Sequence, residues 1–111
     1  YSIKLIRNCT DVMVGMASKY LFKKNGCNYS SCGFYFYTAN GNLYSQRGDN
    51  NEPFVGKECC ADGTIITIKV HNGEMSVAIN GEDKGVAFRG LPGDLYPAFG
   101  LCTGRASFEF V

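Results

Sequence analysis

The side chains with the most reactive chemistry in this chain are six cysteines, Cys9, Cys27, Cys32, Cys59, Cys60 and Cys102, and a single histidine, His71. A nucleophilic thiolate needs a base within hydrogen-bond reach, and Cys59 or Cys60 with His71 offers the right residue types for it. Nothing in the spacing brings the imidazole beside either thiol, and vicinal cysteines entering a strand are more often structural. No Cys-x-x-Cys pair occurs, and His71 stands in a His71-Asn72-Gly73 turn, so a zinc site lacks its ligands. There is also no Gly-x-Ser-x-Gly elbow, no phosphate loop and no obvious carboxylate pair. The expectation is a chain that is not an enzyme and uses no cofactor and no metal.

Two further constellations have bland explanations. Arg47-Gly48-Asp49 is the tripeptide that integrins read, but three-residue motifs arise easily in a turn rich in Gly and Asp. Asp49, Asn50, Asn51 and Glu52 offer oxygen ligands, yet their spacing is not that of an EF-hand loop, and a solvated polar loop accounts for them. An even cysteine count would suit a disulfide framework in a secreted protein. Against that, Cys59 and Cys60 are adjacent and cannot easily bridge to each other, and Cys9 and Cys102 flank expected strands, where a reduced Cys is a good small core residue. Cys27 and Cys32 are the one pair placed for a local bridge. The reading is reduced thiols and a cytoplasmic location. The sequons Asn8-Cys9-Thr10 and Asn28-Tyr29-Ser30 would matter outside the cytosol.

These residues must be positioned by a chain of 111 residues, the length of one domain. With 11 basic and 10 acidic residues there is no net field to hold a nucleic acid backbone. No apolar run approaches the roughly 20 residues that span a bilayer. The opening Tyr1-Ser2-Ile3-Lys4-Leu5 reads as a strand already in progress, which suggests a single domain, residues 1–111, excised from a larger protein with further domains.

Extended runs are expected at residues 1–7, 12–18, 33–38, 42–46, 64–71, 74–79, 84–88, 95–102 and 106–111. Met75, Val77 and Ile79 alternate with Glu74, Ser76 and Ala78, and Ile66, Ile68 and Val70 with Thr67 and Lys69, the period of two of a strand with one buried face. Ala106, Phe108 and Phe110 share a face in the same way. Asn80-Gly81 supplies two residues that tolerate positive φ, as a tight hairpin needs. Fourteen glycines, many in Asn-Gly, Asp-Gly and Pro-Gly pairs, favour hairpins over βαβ crossovers. The fold class is therefore all-β, a two-sheet antiparallel β-sandwich, because one sheet could not bury so many large residues.

Two connections are longer than hairpins require, residues 19–32 and 47–63. Strict up-and-down alternation would bring both to one end of the sandwich, together with the Gly81-Glu82-Asp83-Lys84 turn and Thr103-Gly104-Arg105. Loops held there by a rigid scaffold form the expected working surface.

In order along the chain, Val14-Gly15-Met16-Ala17, Gly33-Phe34-Tyr35-Phe36-Tyr37 with Asn40-Gly41, Asp62-Gly63-Thr64-Ile65-Ile66, Asn80-Gly81, Gly85-Val86-Ala87-Phe88 and Leu95-Tyr96-Pro97-Ala98 resemble a SPRY domain, the core of the B30.2 family, over almost the whole length. The departures are the absence of Trp, with Cys32-Gly33-Phe34 where many members have Trp-Gly-Trp, and the lack of upstream strands before Tyr1. The resemblance implies a jelly-roll sandwich of the concanavalin-like type and a protein-interaction module that grips a peptide or protein surface with loops at one end. Carried over, Cys102, Thr103 and Gly104 would present backbone and a side chain. Tyr20, Leu21, Phe22, Asn28 and Tyr29 would supply an aromatic and apolar floor, with Lys23 and Lys24 selecting an acidic ligand. Alternatively, Leu21 and Phe22 tuck under the loop as satellite core and the lysines are solvated. Two other functions fit a sandwich: carbohydrate binding on an aromatic platform such as Tyr35 and Tyr37, and a structural domain within a large scaffold protein.

Overall fold

The computed structural model describes residues 1–7, 12–18, 33–48, 52–56, 61–101 and 107–111. They form strands β1 (Ser2–Arg7), β2 (Val12–Ser18), β3 (Phe34–Tyr37), β4 (Asn42–Ser45), β5 (Glu52–Pro53), β6 (Ile65–His71), β7 (Glu74–Ile79), β8 (Glu82–Phe88), β9 (Leu95–Leu101) and β10 (Ser107–Phe110). Two five-stranded antiparallel sheets result, ordered β10-β1-β6-β7-β8 and β5-β4-β3-β2-β9. No helix occurs among the described residues, and hence none long and apolar enough to cross a membrane.

The inner faces follow the period of two. Ile3 and Leu5 of β1, Ile66 and Ile68 of β6, and Met75, Val77 and Ile79 of β7 meet Val12, Val14 and Met16 of β2 and Phe34 and Phe36 of β3 in the main core. Val70 and Phe110 do not join that core as fully as their spacing suggests. They are 42% and 65% exposed, Val70 near the end of its strand and Phe110 on the edge strand β10. The β6–β7 and β7–β8 hairpins turn on Asn72-Gly73 and Asn80-Gly81, all four at φ between 51° and 83°, the left-handed pair that matches the twist of two-residue hairpins.

Strand β2 reads Val-Met-Val-Gly-Met-Ala without polar alternation, and it is buried on both faces. Its other face supplies Met13 and Ala17 to a second, smaller cluster with Tyr35 and Ala98, against which Tyr37 and Tyr44 pack. Gly15 sits in the middle of this strand because any Cβ there would collide with the carbonyl oxygen of Phe34. Its own carbonyl accepts a hydrogen bond from the Tyr1 hydroxyl at 2.7 Å.

The expectation of a single working end is corrected by β5, a strand that the sequence did not suggest. Its two residues run back along β4, pairing Pro53 with Asn42 and Glu52 with Leu43, and Val55 N then donates to Gly41 O. This extra traverse reverses the direction of everything that follows. Strand β9 lies antiparallel to β2 with Leu95 opposite Ser18 and Leu101 opposite Val12, so the chain departs toward residues 19–32 at one end and toward residues 102–106 at the other. The Asn72-Gly73 turn belongs with the first end through Leu91 N donating to Gly73 O, and the Asn80-Gly81 turn lies at the opposite end of β7.

Candidate functional site

At the end where β2 finishes, Arg47 ties one sheet to the other. It follows β4, and its turn is held by Arg47 N donating to Ser45 Oγ at 3.1 Å. The two terminal nitrogens of its guanidinium donate to Arg89 O and Gly90 O, both at 2.6 Å, just beyond the end of β8. Its carbon lies 5.0 Å from the centre of the Phe34 ring, within cation–π range. With both ends committed in this way, Arg47 is not the free cation that recognition of Arg47-Gly48-Asp49 would need, and Asp49 lies outside the described residues. Neighbouring Gln46 accepts from Gly33 N at 2.9 Å, fixing the entry to β3.

Beside this clamp a crevice of about 410 Å³ opens between β8 and the β4–β5 pair. Leu43 and Phe88, both buried, form its floor, Val86 and Ala87 one flank, and Arg47, Glu52 and Arg89 its rim. Arg89 is ion-paired with Glu74. The crevice had no sequence signature, because its walls come from strands some forty residues apart in the chain.

None of the eight residues expected to bind a ligand is among those described: Tyr20, Leu21, Phe22, Asn28, Tyr29, Cys102, Thr103 and Gly104 all lie outside them, as do all six cysteines, Asn8, Lys23 and Lys24. The flanking strands fix only where those segments attach, Tyr20 to Tyr29 after Ser18 and Cys102 to Gly104 after Leu101, at opposite ends. The possible sugar platform fails at Tyr35, which is 3% exposed and packed in the second cluster. Its burial pushes the phenol up to about 12. Burial likewise raises the Tyr1 phenol well above the usual tyrosine range. Tyr37 is half-buried and makes an edge-to-face contact with Tyr44 at 5.5 Å. Among the described residues no three His, Cys, Asp or Glu side chains converge as a metal site.

No protein-family profile matches the chain. No curated protein matches it either. Among solved structures it is similar to the SPRY domain of human HERC1, with a TM-score of 0.64 and 22% identity over 88% of this chain. The chain spans 62% of the length of that one. The likeness is one of fold: this is a SPRY-like β-sandwich.

Proposed function

We propose that this SPRY-like sandwich is a non-catalytic protein-interaction module that binds a short peptide or a protein surface. The observation that carries the reading is the fold itself, shared with a SPRY domain across 88% of the chain. Tyr20, Leu21, Phe22, Asn28 and Tyr29 supply the apolar contacts and Cys102, Thr103 and Gly104 the backbone contacts, with the protein kept in the cytosol and its thiols reduced. The attachment points impose a condition on this site. From Ser18 to Val12 is six residues of strand, about 20 Å. Residues 19–32 number fourteen, so half of them, fully extended, reach about 23 Å before the chain must return to Gly33. That reach belongs to Asn25 and Gly26 in the middle of the segment; Phe22, four residues from Ser18, and Asn28, five from Gly33, extend only about 14 and 17 Å, so the two halves form one site only where the Cys102 to Gly104 segment also closes on them.

The test is selection of binders from a displayed peptide library, followed by Tyr20→Ala, Tyr29→Ala, Thr103→Ala and, for the crevice, Arg89→Ala. Loss of binding in both Tyr29→Ala and Thr103→Ala supports one joined site. Loss in one group alone assigns the ligand to one end, and loss in Arg89→Ala alone moves it to the crevice. Retention in all four, or a library without binders, sinks the reading. Six thiols titrated in the protein denatured without reductant would support the reduced state, and fewer would overturn it.

A further inference from the structure

Three Asn-Gly pairs lie among the described residues: Asn40-Gly41, Asn72-Gly73 and Asn80-Gly81. Asn-Gly is chemically labile because glycine leaves its nitrogen unhindered for attack on the preceding side-chain amide. In that reaction the glycine nitrogen bonds to the asparagine Cγ and loses its proton to water, and ammonia leaves Cγ. The five-membered imide that results is opened by water at either of its two carbonyls, to aspartate or to isoaspartate. No oxidant or reductant takes part.

The surroundings of the three pairs differ. Asn40 Nδ2 donates to the Tyr44 hydroxyl and its Oδ1 accepts from Asn42 N, both at 2.9 Å, while Gly41 N is held by Tyr37 O at 2.9 Å. Asn80 Oδ1 accepts from Ile65 N at 2.9 Å, which anchors its amide to the start of β6. Asn72 is exposed, and no hydrogen bond holds its side chain among the described residues. Gly73 gives its carbonyl, not its nitrogen, to its neighbour, accepting from Leu91 N at 2.8 Å.

We propose that Asn72 is a site of spontaneous imide formation that reacts ahead of Asn40 and Asn80, and that its isoaspartyl product releases Leu91. Isoaspartate threads the main chain through Cβ and adds one atom to a two-residue turn whose φ angles are 51° and 73°. The Gly73 carbonyl then no longer meets Leu91 N. Leu91 is 9% exposed and packs on the main core, and it directly follows Arg89 and Gly90, whose carbonyls Arg47 grips. One chemical change in a hairpin turn thus reaches the tie between the two sheets.

The experiment ages the purified protein in mildly alkaline buffer and follows deamidation by peptide mapping, which also separates Asn25-Gly26, outside the described residues. Each hydrogen bond that must break before attack slows the step about tenfold at most, so Asn72 is expected to react roughly tenfold faster than Asn80 and faster still than Asn40. Equal rates at Asn72 and Asn80, or a faster Asn40, overturn the ordering. Tyr44→Phe, which removes the bond from Asn40 Nδ2 to the Tyr44 hydroxyl, is expected to speed Asn40 and leave Asn72 unchanged. Hydrogen exchange at the Leu91 amide is expected to rise at least tenfold in the aged protein and not in Asn72→Gln, whose longer side chain disfavours the five-membered ring. Unchanged Leu91 exchange in fully converted protein refutes the structural half of the proposal.

Discussion

Removing the Arg47 guanidinium is expected to loosen the sandwich at the end where β2 finishes. Two bonds from a charged donor at 2.6 Å are lost, and because Arg47 is exposed each is worth about 1 kcal/mol, not the larger value of a sheltered pair. The stacking over Phe34 adds about 0.5–1 kcal/mol at such a position. Water reaches the freed carbonyls of Arg89 and Gly90, both exposed, so no burial penalty follows. Arg47→Ala should therefore cost about 2–3 kcal/mol, read as a lower urea midpoint at constant slope and a melting temperature lower by roughly 10 °C. Arg47→Lys separates charge from geometry. One ammonium can reach one carbonyl and has no planar face for the ring, so more than half of the loss should persist. A loss below about 0.5 kcal/mol in Arg47→Ala, or a Lys variant as stable as the parent, would refute the clamp.

Gly15→Ala drives a methyl into the Phe34 carbonyl between two packed faces and is expected to cost about 3 kcal/mol or more in chemical denaturation; a cost under 1 kcal/mol would mean that β2 and β3 can part easily. Thr38→Val deprives the buried Val12 N–H of the oxygen that it meets at 2.9 Å, for a loss of about 1–3 kcal/mol and faster exchange of that amide, and unchanged exchange would count against the contact. The Tyr35 phenol titrates near 10 unfolded and about 12 folded, so the folded state holds the extra proton between those values. The phenol's contribution to stability is then level below pH 10 and falls as pH rises toward 12, so Tyr35→Phe should lessen the alkaline slope, to which the raised Tyr1 phenol also adds; an identical slope in the variant would exclude Tyr35 as a source.

The long strands were legible because burial shapes their composition: Glu74–Ile79 has the bounds that its alternation and the Asn-Gly turns mark, and Val12–Ser18 those of its near-continuous apolar run. Strand β5 was not, since two residues, one of them Pro53, show no period, and the pairing with Asn42 and Leu43 is made through backbone groups that every residue carries. That small omission carried a large error, because one extra traverse moves every later turn to the opposite end. Arg47 was conspicuous for the wrong reason. Its sequence neighbours Gly48 and Asp49 drew the reading to a recognition motif, whereas its partners are main-chain carbonyls more than forty residues away.

How a partner would engage this sandwich is constrained by what the faces and edges leave open. The outer face of the β2 sheet is occupied by Met13, Ala17, Tyr35 and Ala98, all buried, so a ligand cannot lie on its centre. The edge strands remain, and among the described residues each is blunted against strand addition in its own way. Strand β5 has two residues, β8 breaks register with β7 at two places, β9 carries Pro97 without an N–H to offer, and β10 has four residues. A partner approaching the crevice between β5 and β8 therefore meets the side chains of Glu52 and Arg89 above an apolar floor, not an open ladder of backbone groups. Selectivity there would follow from side-chain chemistry, which an edge-strand docking mode reads only at alternate positions.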